Sequence, residues 1–227
     1  MVAVTRTRQS RATRRSAGRP SGDGVDQRAR LLDAAIARFA RDGIGATSLR
    51  AIAADAEVTP AMLHYYFGDK EQLKQALIEE RLLPTMEPIR ERLVRLGDDP
   101  AAMVGAFVHG MAAAVARHPW LPSLWVREVL CEGGELRDVL FNDLLPSMPQ
   151  ILADRFAEAQ AAGRLNPRLD PRLLVVSLVG LTMFPVAGAP IWQRVFDARD
   201  IGPEILLEHT LALLQEGLML PLPGDIP

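Results

Sequence analysis

The sequence predicts an all-α fold, with a small N-terminal helical unit followed by a larger helical body. Two observations carry this. Apolar residues recur at three- and four-residue spacing nearly throughout from residue 25 onward, and no stretch shows sustained alternation or a hairpin signal. The breaks between the helical stretches hold proline or glycine, as in HPW, CEGGE and AGRLNP.

The elements follow in order. Residues 1–24 are rich in Arg, Ser, Thr and Gly, with almost no large apolar residue, and are expected to be a disordered basic arm. A first helix is expected from about Asp26 to Arg41, with Leu31, Leu32, Ala35, Ile36 and Phe39 on one face and Gly43 as its stop. Thr47 or Ser48 caps a short second helix whose inner face is Leu49, Ile52 and Ala53. Asp55-Ala56-Glu57 is a polar break. Thr59 then caps a third helix, with Pro60 at the first position, where a missing N–H costs nothing. Gly68 ends it, and Asp69 with Gln72 forms a capping box for a fourth helix reaching about Leu83 and Pro84. Further helices are expected over Ala101–Arg117, Pro122–Leu130, Leu136–Ala162, Pro171–Phe184 and Pro203–Leu218. The domain boundary is expected along Leu83–Pro88, dividing the chain into 1–24, 25–85 and 86–227.

Composition narrows the function classes. An apolar share of 48% and a charged share of 24% suit a globular protein. The net charge of −2 is unevenly placed. Residues 1–90 hold 15 basic and 11 acidic residues, whereas 91–227 hold 11 and 17. Six arginines and no acid lie between Met1 and Gly22, which points to a polyanion partner at one end only. The single cysteine, Cys131, excludes an internal disulfide. With no apolar stretch after the basic N-terminus, a signal peptide is not expected and the expected location is the cytoplasm. The run from Leu173 to Trp192 is 20 residues without a charge, long enough to span a bilayer. Pro185, Gly188 and Pro190 break its last third, so a buried core or interface helix is expected and no membrane partner.

The stretch VTPAMLHYYFGDKEQL, from Val58, carries the chemistry. A short helix, a three-residue break and a second short helix make a helix-turn-helix. Leu63 and Phe67 are four apart and face inward. Thr59, Pro60, Ala61, Met62, His64, Tyr65 and Tyr66 are then left for a major groove of duplex DNA or its phosphate walls. Lys70 adds charge at the next helix start, and Thr47, Ser48 and Arg50 do so at the second helix. In the arm, Arg15 and Arg19 (the latter in Gly18-Arg19-Pro20) are candidates for a narrow minor groove. No catalytic, metal or cofactor site is expected. GIGATS follows a helix and not a strand, and His109, His118 and Cys131 lack partners at ligand spacing. Asp197, Asp200 and Glu204 read as a solvated loop.

Arg28 to Leu73 resembles the N-terminal domain of TetR-type transcriptional regulators. The resemblance rests on the Ala35, Phe39 and Gly43 spacing, Thr47-Ser48, Ile52-Ala53, Val58-Thr59, and Tyr65-Tyr66-Phe67 followed by Lys70-Glu71. It implies an all-α homodimer whose small three-helix reading domain sits on a larger helical ligand-binding and dimerisation domain, with a dimer interface built from the last two long helices. The expected partners are a double-stranded DNA operator and an apolar small-molecule effector, the effector read from the large apolar side chains of the body and not from the resemblance. Pro60, Met62 and His64 depart from the family pattern, so base readout rests on few hydrogen bonds. Met103, Phe107, Met111, Trp120, Trp125, Met148 and Phe184 are the candidate effector-binding side chains, each also readable as core. A helical small-molecule carrier or enzyme without operator binding is the alternative. Neither operator nor effector identity is legible.

Overall fold

The computed structural model describes residues 23–139 and 148–218, and among these every regular element is helical. Arg15 and Arg19 lie outside the described residues, as does part of the helix expected over Leu136–Ala162.

Helix α1 (Asp23–Asp42) buries Leu31, Leu32, Ala35, Ile36 and Phe39. Removing one such side chain from water is worth about 1.5–3 kcal/mol. Helix α2 (Leu49–Asp55) starts at Ser48, whose Oγ accepts the Ala51 N–H at 3.2 Å. Helix α3 (Pro60–Phe67) stops at Gly68, whose φ of 74° lies in the region that favours glycine. The expected capping box opens α4 (Lys70–Leu77): Gln72 N–H donates to Asp69 Oδ1 at 2.9 Å and Asp69 N–H to Gln72 Oε1 at 3.1 Å.

The helix end expected at Pro84 is absent. Helix α4 runs through a widened π turn, Ile78–Leu82, straight into α5 (Leu83–Arg95), with Pro84 in its first turn and Pro88 inside it. A proline removes the N–H that its fourth preceding carbonyl needs. Here the Glu80 carbonyl, which Pro84 cannot serve, instead accepts Arg81 Nη1 at 3.1 Å. The π turn also shifts the ladder, with Leu83 N–H bonded to the Ile78 carbonyl. One unbroken rod therefore joins the reading unit to the body.

The body is built around α6 (Pro100–Arg117), capped by Asp99 and burying Met103, Val104, Phe107, Val108 and Met111. Against it pack α5, α9 (Met148–Ala161), α10 (Pro171–Ala187) and α12 (Pro203–Leu218). Helix α7 (Leu121–Trp125) leads into a second π turn, Val126–Leu130, and packs on α1; α8 (Arg137–Val139) follows a short loop. Helix α10 continues past Phe184 and through Pro185 to Gly188. There the chain turns by 69° into α11 (Ala189–Val195), a helix the sequence did not announce. The apolar run Leu173–Trp192 is thus two helices meeting at an angle, tied by the Trp192 indole N–H on the Pro185 carbonyl at 2.7 Å.

Candidate nucleic-acid interface

Helices α2 and α3 meet across a turn in which Glu57 takes a left-handed φ of 55° and Val58 N–H returns to the Ala53 carbonyl at 2.9 Å. Leu63 and Phe67 are buried against the same core as Ile52 and Ala53. That leaves Thr59, Pro60, Ala61, Met62, His64 and Tyr65 exposed on one outward surface. Tyr65 is 82% exposed and stands edge-on to Tyr66, with ring centroids 5.2 Å apart. Burying so large an aromatic in a partner would be favourable, and its hydroxyl suits a phosphate oxygen.

The expected contacts divide on inspection. Ser48 and Arg50 are exposed, and Arg50 has no carboxylate partner among the described residues. Thr47 is a correction. It is buried, and its hydroxyl donates to the Gly43 carbonyl at 2.6 Å, because a buried hydroxyl needs an acceptor and the loop supplies one. Thr59 holds the cap position of α3 but makes no side-chain cap bond, so its hydroxyl is left for the solvent side. Tyr66 is only half-buried and packs on the core, shared between the two surfaces. His64 Nδ1 lies 2.6 Å from the Gly68 carbonyl. A carbonyl only accepts, so Nδ1 carries the proton and Nε2 is the ring atom left unbonded. Lys70 Nζ donates to the Gly45 carbonyl at 3.1 Å and keeps two further N–H donors.

Most other basic residues nearby are used within the fold. Arg38 and Arg41 clamp Asp55 at the end of α2, and both also pair with Asp42. The hydrogen bond from Arg38 holds the Asp55 carboxyl below its ordinary range, and the bond from Arg41 does the same for Asp42. Arg81 pairs with Asp33 at 2.9 Å and Arg28 with Glu80, while the Arg28 guanidinium lies 4.7 Å from the Phe67 ring centroid. Arg50 and Lys70 are thereby the cations of the α2–α4 surface that no carboxylate neutralises among the described residues.

Below this unit the body encloses a cavity of about 410 Å³ between α5, α6, α7, α9 and α10. Of the expected effector contacts, Phe107, Met111, Trp125 and Met148 line it. Met103, Trp120 and Phe184 do not. Met103 is fully buried in the core, Trp120 packs against the His118 ring, and Phe184 is 69% exposed on the far side of α10. Met86 and Met183 also line it and were not among the expected side chains. Both sit at helical spacing within ordinary apolar faces, so nothing local distinguishes them. The ion-paired Glu87 and Arg90 stand among an otherwise apolar lining. A second space of about 440 Å³ lies between α6, α10, α11 and α12.

His109 is exposed and Cys131 is exposed and free. Burial, more than the nearby Arg117, pushes the His118 imidazole below its ordinary pKa. No group of three or more His, Cys, Asp or Glu is placed to hold a metal among the described residues.

Comparison with known proteins bears on the helix-turn-helix unit and on the fold as a whole. The family profile described as "Bacterial regulatory proteins, tetR family" matches residues 31–77. The HTH-type nicotine-responsive transcriptional repressor HdnoR of Paenarthrobacter nicotinovorans is 39% identical over 79 residues, which is 35% of this chain and 40% of that one. The HTH-type transcriptional regulatory protein RaaS of Mycobacterium tuberculosis is 29% identical over 144 residues, 63% of this chain and 62% of that one. The chain thus spans less than two thirds of either relative. The solved structure of the ketosteroid transcriptional regulator KstR2 of Mycobacterium tuberculosis superposes with a TM-score of 0.69 at 20% identity, covering 91% of this chain and all of that one.

Proposed function

We propose that this chain, whose residues 31–77 match the tetR family of bacterial regulatory proteins, is a regulator of that family that binds a palindromic operator as a homodimer and represses transcription until an apolar small molecule fills its cavity. The observation that carries the proposal is the α3 surface. Thr59, Ala61, Met62, His64 and Tyr65 face outward, while Leu63 and Phe67 lock the helix to α2. An exposed helix with its inner face locked is what a major groove accepts. Arg50 and Lys70 flank it as unneutralised charges, suited to phosphates on either side.

The dimer part rests on α10. Leu173, Val176 and Phe184 are each more than 60% exposed, and they share one stripe with Gly180. A stripe this apolar gains about 25 cal/mol for each Å² it removes from water, and a second copy of the chain is the self-complementary cover. The effector part rests on the cavity, whose lining of methionine, leucine, valine and aromatic side chains suits an apolar body. Such a molecule releases DNA only if it binds one spacing of the two reading units better than the other. On this reading the protein works in the cytoplasm, where chromosomal DNA lies.

Selection from a random duplex pool by the full chain tests this. A two-fold symmetric site should emerge, with affinity falling steeply as salt rises. Failure to enrich any duplex would sink the reading.

A further inference from the structure

The acid of the second π turn stands on an apolar face. Leu121, Leu124, Trp125, Glu128 and Val129 share a helical register, and Glu128 is only 3% exposed. Its carboxylate has no cation partner among the described residues. Backbone amides hold it instead: Oε1 accepts the Ile44 N–H at 2.9 Å and Oε2 the Glu135 N–H at 3.0 Å. A buried carboxylate is costly unless its oxygens are hydrogen-bonded, so these two amides are what allows it to be there.

The two amides belong to different parts of the molecule. Glu135 lies in the loop that wraps the π turn, which is itself fastened by Arg137 on the Val129, Leu130 and Cys131 carbonyls. Gly134 packs so close that a Cβ there would stand 2.3 Å from the Glu128 carbonyl oxygen. Ile44 lies 84 residues away, in the loop between α1 and α2 of the reading unit. That loop is fitted to the carboxylate. Gly43 has a φ of +90°, and a Cβ on it would stand 3.2 Å from Glu128 Oε1. On its other side the loop receives Lys70 at the Gly45 carbonyl. The loop is thus held by the body through Glu128 and by the end of the reading motif through Lys70. The same stretch that carries Glu128 places Trp125 and Val129 in the cavity wall.

We propose that Glu128 is the positioning residue that fixes the angle of the reading unit on the body, through its bond to the Ile44 amide. The proposal rests on the DNA-binding reading above. In a dimer, the angle of each unit sets the distance between the two α3 helices, so a slack angle harms binding to two half-sites at once. Binding of one unit to one half-site needs no fixed angle.

Glu128→Gln tests this, because the amide keeps the shape but turns an NH₂ group toward one of the two N–H donors. Affinity is measured for the selected full operator and for a duplex carrying one half-site. The expected result is about a tenfold loss on the full operator, the scale of one charge-assisted hydrogen bond, with the half-site unchanged. An unchanged full operator, or an equal loss on both duplexes, overturns the proposal, the second showing a merely structural residue. Amide exchange gives an answer that needs no DNA. Ile44 in the unsubstituted chain should be as protected as Val104 and Val108 in α6, and at the rate of an exposed loop the clasp does not exist. If the unsubstituted chain enriches no duplex, or Glu128→Gln does not fold, that exchange measurement alone decides. In the first case the DNA-binding reading falls separately.

Discussion

Leu63 and Tyr65 stand two residues apart on α3, one inaccessible and the other 82% exposed. In the body, Phe107, Met111, Trp125 and Met148 face one another across about 410 Å³ of unfilled space. The reading unit is closed inside and presents its chemistry outward. The body keeps a polar or apolar surface as packing dictates and leaves room within. On the proposed function the contrast follows from what each part would meet: a groove of DNA calls for side chains on a rigid frame, and a small molecule for a space that can be filled. The short helices of the reading unit have their ends fastened by Ser48, Asp69 and the Arg38–Asp55–Arg41 clamp.

The sharpest break of that contrast is a truncation in each interior. Phe39→Ala in the closed core should destabilise the chain by about 3–5 kcal/mol, whereas Met148→Ala at the half-buried rim of the cavity should cost under about 1.5 kcal/mol. Urea unfolding measures both, and equal losses would mean the body is packed as tightly as the reading unit.

Next in size is the outer face of α10. Beyond its chain neighbours and its own helix backbone, no heavy atom lies within 4 Å of a Cβ built on Gly180, so Gly180→Arg fits a single copy of the chain. It should nevertheless turn a dimer into a folded monomer by sedimentation, and full-operator binding should go with it. A wild-type chain that sediments as a monomer, or a substituted chain that stays dimeric, would remove α10 from the interface.

The smallest effect sharpens the electrostatics. Arg50→Ala should leave stability within about 0.5 kcal/mol and lower the slope of log affinity against log salt by about one, as one phosphate contact is lost. Lys70→Ala should do this and also loosen the Gly45 loop, so its operator loss should exceed that of Arg50→Ala. Identical effects would mean that the Lys70–Gly45 bond contributes nothing to the reading geometry.

The sequence by itself determined the helical class, the order of the four N-terminal helices and the outward set around Tyr65. These rest on signals confined to a few residues: Gly68 as a stop, Asp69 with Gln72 as a cap, and Leu63 with Phe67 four apart. Tertiary structure decided what depends on distant partners. Pro84 did not end its helix, because the Arg81 guanidinium donates to the Glu80 carbonyl that the proline cannot serve and the π turn shifts the ladder. Thr47 is buried and not on the DNA side, because its loop folds back until Gly43 receives the hydroxyl. Met103 and Phe184 left the cavity list for opposite reasons, one drawn fully into the core and the other turned to the outer face of α10. Helix α11 and the 69° bend before it are set by packing around Gly188 and Trp192. Glu128 shows the division most plainly. Its place on an apolar face is written in the spacing, but its partner Ile44 lies 84 residues away, and only the folded chain brings that amide to the carboxylate.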